Sequence, residues 1–196
     1  MIYTHSSIIA AFLVVGIFFL VFEIALLLTK GSRSDRIVQT KLDQGSLVMI
    51  WIAGTMAVIS AVIAARLLLT DASDFNPLIP SLGFLITCIG IAIRWVSINT
   101  LQDAFNIYVS VPEDGKLVKN GIYKNIRHPS YLGLLLAYLG LGIILSNWIS
   151  LMFIFLPIFI AILHRIRIEE AVLTDALGEE YLEYCRGSYR LVRGVY

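Results

Sequence analysis

The chain is 196 residues long, 58% hydrophobic and only 15% charged, with a formal net charge of +1 and a mean hydropathy of +0.83. Soluble domains carry about 25% charged residues, so the composition excludes an ordinary soluble enzyme and predicts a single integral membrane domain built of α-helices. No basic block of the kind that binds nucleic acid is present. The two cysteines, Cys88 and Cys185, form neither a metal pattern nor a disulfide framework and read as free thiols.

Apolar runs of about 20 residues cross a bilayer core as helices. The first is 7–29, interrupted only by Glu23. It is too long for a signal peptide and lacks a small-residue cleavage site, so it is expected to be a retained span. The second is 47–69, with Arg66 near its end, and the third is 78–98, with Arg94 near its end. Two shorter runs, 131–145 and 148–163, are separated only by Ser146-Asn147 and predict a tight helical hairpin packed against its neighbours. Lys30, Arg33, Arg36 and Lys41 follow span one, and none is found in "TDASDFNP" after span two. Lys116, Lys119, Lys124 and Arg127 precede span four, the hairpin turn has none, and the tail has Arg165, Arg167, Arg186, Arg190 and Arg193. The positive-inside rule then predicts five helices, with the N-terminus outside and the C-terminus in the cytosol. The competing topology has four spans, with 131–163 dipping in and returning.

The polar segments 30–46, 99–130 and 164–196 therefore face the cytosol, and the hairpin brings the last two together. The segment before span four holds a short extended stretch "IYVSV", then turn signals at Pro112 with "EDG" and at "NG". In "RHPSY", Pro129 is suited to the first turn of a helix. The unsatisfied N–H groups of a helix start favour anionic or acceptor groups. His128 at that entrance is either a simple cap or a ligand-facing group. Span five continues as "HRIRIEEAVLTDAL", with Arg165 and Glu169 on one face. Gly178 is a break, and "EEYLEY" a second short helix with Tyr181 and Tyr184 at its interface. Each group also has a plainer role. Arg165 and Glu169 read equally as a surface pair worth about 0.3–0.5 kcal/mol. Tyr123, Tyr131, Tyr181 and Tyr184 fit an interfacial aromatic belt, and Arg66 and Arg94 fit snorkelling cations. Glu23, about 9 Å of helix from the cytosolic end, is protonated, paired or functional. Gly133, Ala137 and Gly140 on span four allow close helix packing or a lateral slot for an alkyl chain.

The ordered series "KLV", "GIY", "RHPSY", a hairpin, "RIRIEE", "LGEEYLEY" and "RLVRGVY" resembles the isoprenylcysteine carboxyl methyltransferase family, within the wider group that includes the phospholipid N-methyltransferases. It covers about residues 90–196, and the earlier "DQGS" before an apolar span is similar to the prokaryotic branch. The resemblance implies a methyltransferase of the prokaryotic plasma membrane, using S-adenosyl-L-methionine (SAM) and no metal. Its acceptor would be a lipophilic or lipid-modified molecule drawn from the bilayer. It further implies cofactor contacts at Tyr108, Gly115, Lys116, Leu117, Val118, Tyr123, His128, Pro129, Ser130, Tyr131 and Glu169, with Arg165 facing the acceptor and Arg165 and Glu169 carrying the catalysis. The chain departs from the family's pattern at three places: Tyr108 where a polar residue can occur, Gly115 where some members have His, and Val192-Arg193 where Ile-Pro is common.

The chemistry of these residues fits that implication. Methyl transfer from a sulfonium is an in-line displacement that depends on alignment. A carboxylate acceptor needs no base, only a cationic holder such as the planar guanidinium of Arg165. Glu169 then holds hydroxyls or the ammonium of the cofactor, and Tyr131 or Tyr123 faces the sulfonium. An amine, phenol or thiol acceptor needs a base, for which His128 and Glu170 are the candidates. A non-enzymatic membrane scaffold leaves the charged constellation unexplained.

Overall fold

The computed structural model describes residues 5–30, 43–68, 76, 78–101, 109 and 117–192. Among the described residues six α-helices follow in order: α1 (His5–Lys30), α2 (Ser46–Leu68), α3 (Leu78–Leu101), α4 (Pro129–Ile144), α5 (Trp148–Leu177) and α6 (Glu179–Gly187). A 3-10 turn at Gly121–Lys124 precedes α4. Helices α1, α2, α3 and α5 are each long and apolar enough to cross a membrane. Helix α4, at 16 residues, is about 24 Å long. Among the described residues the sole β-type pairing is a bridge between Ile126 and Tyr189. The chain is thus an all-α integral membrane protein. Backbone groups that lipid cannot solvate are satisfied within helices, while Val14, Phe18, Ile52 and Met56 point outward where only lipid would meet them.

Small residues explain the tightest contact, that of α3 with α4. A Cβ added at Gly90 would stand 2.5 Å from the backbone nitrogen of Ala137, and one at Gly133 would stand 2.6 Å from that of Arg94. Gly83 likewise abuts Gly140 and Ile144. The two helices therefore run antiparallel with their backbones in contact. Of the two roles open to Gly133, Ala137 and Gly140, the structure takes helix packing.

The hairpin between α4 and α5 turns at Ser146 (φ 52°) and Asn147, whose side chain accepts the Ser150 N–H at 2.9 Å. Ser150 also donates to the Ala61 carbonyl at 3.2 Å, tying α5 to α2. Buried Leu141, Ile144, Ile154 and Ile158 fill the core between these helices. Helix α5 runs unbroken past the predicted end of its span to Leu177. There Gly178, at φ 55°, takes the left-handed conformation that a side chain disfavours and α6 begins. The break and the short final helix are where the sequence predicts them. Helix α1 lies against α4 and α3 more lightly than α3 packs on α4 or α2 on α5.

Two glycines separate these effects. Gly90→Ala should cost about 1–3 kcal/mol through overpacking. Gly16→Ala, where a Cβ meets nothing within 4 Å, should be neutral or stabilising through helix propensity. Thermal unfolding in one detergent measures both, and equal effects would contradict the close α3–α4 approach.

Candidate functional site

Pro129 opens α4 and His128 is its N-cap residue, but the His128 side chain makes no capping bond. The cap reading is therefore corrected. The ring, 5% exposed, turns inward and lies 3.4 Å from Glu170 Oε1 through Nε2. It stacks on Tyr131 at 5.6 Å between centroids. Glu170 is the hub of this corner. It accepts from Arg127 Nε at 3.1 Å and from Arg190 Nε at 2.7 Å. Backbone bonds pair the same segments: Arg127 N donates to the Tyr189 carbonyl at 2.7 Å, and His128 N to that of Arg190 at 3.1 Å. The chain's tail is thus strapped across the approach to α4. Tyr184 adds a bond from its hydroxyl to the Tyr123 carbonyl at 2.5 Å. With Tyr123 at 6% and Tyr181 at 2% exposure, these rings are interior rather than an interfacial belt. Cys88 and Cys185 are free, as expected.

One turn further along, Tyr131 links two residues that the sequence pairs directly. Arg165 Nε donates to the Tyr131 hydroxyl at 2.7 Å, and that hydroxyl donates to Glu169 Oε2 at 2.6 Å. Arg165 and Glu169 share a face of α5 as predicted, yet they are joined through a tyrosine from α4. This replaces the plain surface pair. Arg165 is 3% exposed. A charge so buried needs partners, and they come from the start of α2: Asp43 Oδ1 at 2.7 Å and Ser46 Oγ at 2.8 Å. Asp43 also accepts the N–H groups of Leu47 at 3.0 Å and Val109 at 3.2 Å. Burial alone would raise its pKa. The backbone bond from Leu47 and the Arg165 charge outweigh that, holding the carboxyl below its ordinary value.

Arg94 does not snorkel. Its Nε and terminal nitrogen grip both oxygens of Glu23 at 2.5 and 2.7 Å, and it donates to Ser130 Oγ at 2.8 Å. Of the three states open to Glu23, the structure takes the paired one. This bidentate pair joins α1, α3 and α4 at the depth of the site.

Between α1, α2 and α4 lies a cavity of about 270 Å³. Most of its wall is aliphatic or aromatic. Its polar end holds Glu23, Arg94, Ser130, Tyr131 and Arg165. An apolar channel at membrane depth therefore terminates on two guanidinium groups, one shared through Tyr131 with a carboxylate that faces the other way. Glu169 keeps 27% of its side chain exposed, whereas Glu170 is saturated at 11%. Leu117 and Val118 are described and half-buried near the 3-10 turn. Tyr108, Gly115 and Lys116 lie outside the described residues, as does the side chain of Arg66.

The structure thus brings together Tyr131, Ser130, His128, Arg165 and Glu169. Sequence reasoning missed Arg94 with Glu23, Arg127 and Arg190 around Glu170, and Asp43 as the counter-ion of Arg165. Asp43 had a signal, since an acidic residue just before an apolar helix is an N-cap pattern. The partners of Arg94 and Glu170 are separated by up to 71 positions, which no local pattern reveals.

Residues 82–175 match the family model described as the isoprenylcysteine carboxyl methyltransferase (ICMT) family. Protein-S-isoprenylcysteine O-methyltransferase of Saccharomyces cerevisiae is 34% identical over 105 residues, which is 53% of this chain and 44% of the yeast protein. Protein-S-isoprenylcysteine O-methyltransferase A of Arabidopsis thaliana is 32% identical over 108 residues, 54% of this chain and 55% of the plant protein. The matched region is therefore about half the length of these relatives. A solved structure of the eukaryotic intramembrane Ras methyltransferase ICMT superposes with a TM-score of 0.73 at 21% identity, covering 97% of this chain and 68% of that one. At that identity the superposition establishes a shared fold.

Glu170 is the residue on which the strap depends. Glu170→Gln removes the anion that Arg127 and Arg190 share; the Arg127–Glu170 pair, with side chains 9% and 11% exposed, is buried, and breaking a buried pair costs about 3–5 kcal/mol. Denaturant unfolding in detergent should show that loss. Ending the chain after Ser188 should reproduce part of it; full stability in both variants would contradict the strap.

Proposed function

We propose that this chain is a member of the isoprenylcysteine carboxyl methyltransferase family, whose model matches residues 82–175, and that it transfers a methyl group from SAM to a carboxylate on a lipophilic thioether that reaches the site from the bilayer. The observation that carries this is the Tyr131 hydroxyl, bonded on one side to an arginine that lines the apolar cavity and on the other to a carboxylate that does not. The two sides suit two substrates of opposite solubility.

The residues present fit SAM. Glu169 retains exposed acceptor oxygens for its ammonium or ribose hydroxyls, and the stacked rings of His128 and Tyr131 offer an aromatic face beside them. When bound, SAM supplies a methyl group on a sulfonium, electrophilic without further activation. Glu169 orients it. On the other side Arg165 holds the acceptor carboxylate with the charge and plane of its guanidinium, and the apolar wall strips water from the nucleophile. Asp43, Ser46 and Tyr131 fix that guanidinium so that little reorganisation accompanies the reaction. Carboxylate attack on the methyl carbon needs no proton removed.

The alternative acceptors, a lipid amine, phenol or thiol, need a base at the cavity. Glu170 is held by Arg127, His128 and Arg190, and neither it nor His128 lines the cavity. Glu23 does line it but is gripped by Arg94 through both oxygens. This favours the carboxylate. The reading extends to orientation: five crossings, the cofactor side in the cytosol, the N-terminus outside.

Membrane vesicles given methyl-labelled SAM and N-acetyl-S-farnesylcysteine test the whole proposal. Inverted vesicles should form a base-labile lipid-phase methyl ester, and sealed right-side-out vesicles should not. Glu169→Gln should weaken SAM binding by calorimetry about tenfold or more, the worth of a hydrogen bond to a charged group. Arg165→Lys should bind SAM normally and lose about 100-fold in turnover through misalignment. A base-stable product would overturn the carboxylate. Normal SAM binding in Glu169→Gln with lost binding in Arg165→Lys would reverse the two roles.

A further inference from the structure

We infer that Tyr138 sets the length of acceptor chain that the cavity takes, with Gly54 as its counterpart on α2; this rests on the acceptor side proposed above. The cavity-facing residues of α4 are Ser130, Tyr131, Leu134, Tyr138 and Leu141, and from Tyr131 onward they form a single stripe at helical spacing. An acceptor whose carboxylate lies by Arg165 runs its chain along that stripe. It meets the Tyr138 ring about 10 Å beyond Tyr131, at 1.5 Å of rise per residue. There the ring crosses the cavity. Its edge contacts Phe19 of α1 at 5.3 Å and 87°. Its hydroxyl stands over Gly54 of α2, 2.5 Å from where a Cβ would lie. One aromatic side chain thus joins three helices across the passage. Leu141 and Phe12 line further space on its far side. Gly54 needs no unusual backbone angle, since it sits within α2; its missing side chain is what lets the ring lie back against that helix. Bulk in an apolar pocket discriminates steeply, about tenfold or more for a single methylene.

The test compares S-geranyl, S-farnesyl and S-geranylgeranyl derivatives of N-acetylcysteine as acceptors. Their methyl esters, which bind as products without reacting, are compared by the rise in thermal midpoint. Tyr138→Ala should raise the kcat/KM ratio of geranylgeranyl over geranyl about tenfold by opening the far space. Gly54→Ala should lower it by a similar factor by pushing the ring into the passage. Tyr138→Phe, which keeps the bulk, should stay near the wild-type ratio. The ester series should shift in the same order. Should Tyr138→Ala fail to fold, Tyr138→Leu takes its place. An unchanged ratio in Tyr138→Ala and Gly54→Ala, with wild type methylating these acceptors, overturns the length role and leaves the activity standing. A Tyr138→Phe profile like that of the alanine variant overturns the steric bar. Wild type that neither methylates any acceptor nor responds to any ester overturns the acceptor side and this inference together.

Discussion

The hydroxyl of Tyr131 stands between a buried guanidinium and a half-exposed carboxylate, taking a hydrogen bond from Arg165 and giving one to Glu169. The charge of Arg165 does not tolerate its position alone. Arg165 lies almost wholly out of water, where an unpaired cation is strongly unfavourable, and Asp43 and Ser46 bond its Nη1 from the start of α2. Asp43, just before α2, must therefore reach Arg165 in the middle of α5 for the guanidinium to stay paired and fixed. The same hydroxyl divides the molecule. On one side the wall is apolar and belongs to α1, α2 and α4; on the other lie His128, Glu169 and the strapped tail.

The scaffold serves that division. Glycines on α3 and α4 bring the two backbones into contact, which sets the start of α4, and with it Ser130 and Tyr131, against Arg94. The hairpin turn at Ser146 and Asn147 returns the chain so that α5 delivers Arg165, Glu169 and Glu170 to that level. Successive positions on α5 then have opposite duties. Glu169 keeps its outward oxygens, while Glu170 spends its own on Arg127, His128 and Arg190. The strap around Glu170 holds His128 beside Tyr131 and off the cavity wall.

Much of this was legible in the sequence because it is local. Apolar run lengths mark the long helices, Pro129 marks the start of α4, and Gly178 marks the break before α6. The series "RHPSY" and "RIRIEE" names the residues that the fold assembles. The misreadings share a physical origin. Arg94 and Glu23 each look like an isolated charge near a helix end, and only the packing of α1 on α3 pairs them. Arg165 and Glu169 look like a surface pair because their spacing is right, and only α4 inserts Tyr131. Tyr123 and Tyr181 look interfacial by composition, yet the strap buries them. The small residues of span four were compatible with a slot until α3 filled their face, leaving the chain-sized space to α1 and α2. Tyr108, Gly115 and Lys116, the proposed cofactor contacts before residue 117, lie outside the described residues.

The central claim is that Tyr131 couples the acceptor-side arginine to the cofactor-side carboxylate. A double-mutant cycle in SAM binding, with Tyr131→Phe and Glu169→Gln alone and together, measures that coupling most directly. Groups joined by one hydrogen bond should show a coupling of about 0.5–3 kcal/mol, so the double variant should bind SAM little worse than Glu169→Gln alone. Strictly additive losses, or wild-type SAM binding in Tyr131→Phe, would contradict the account.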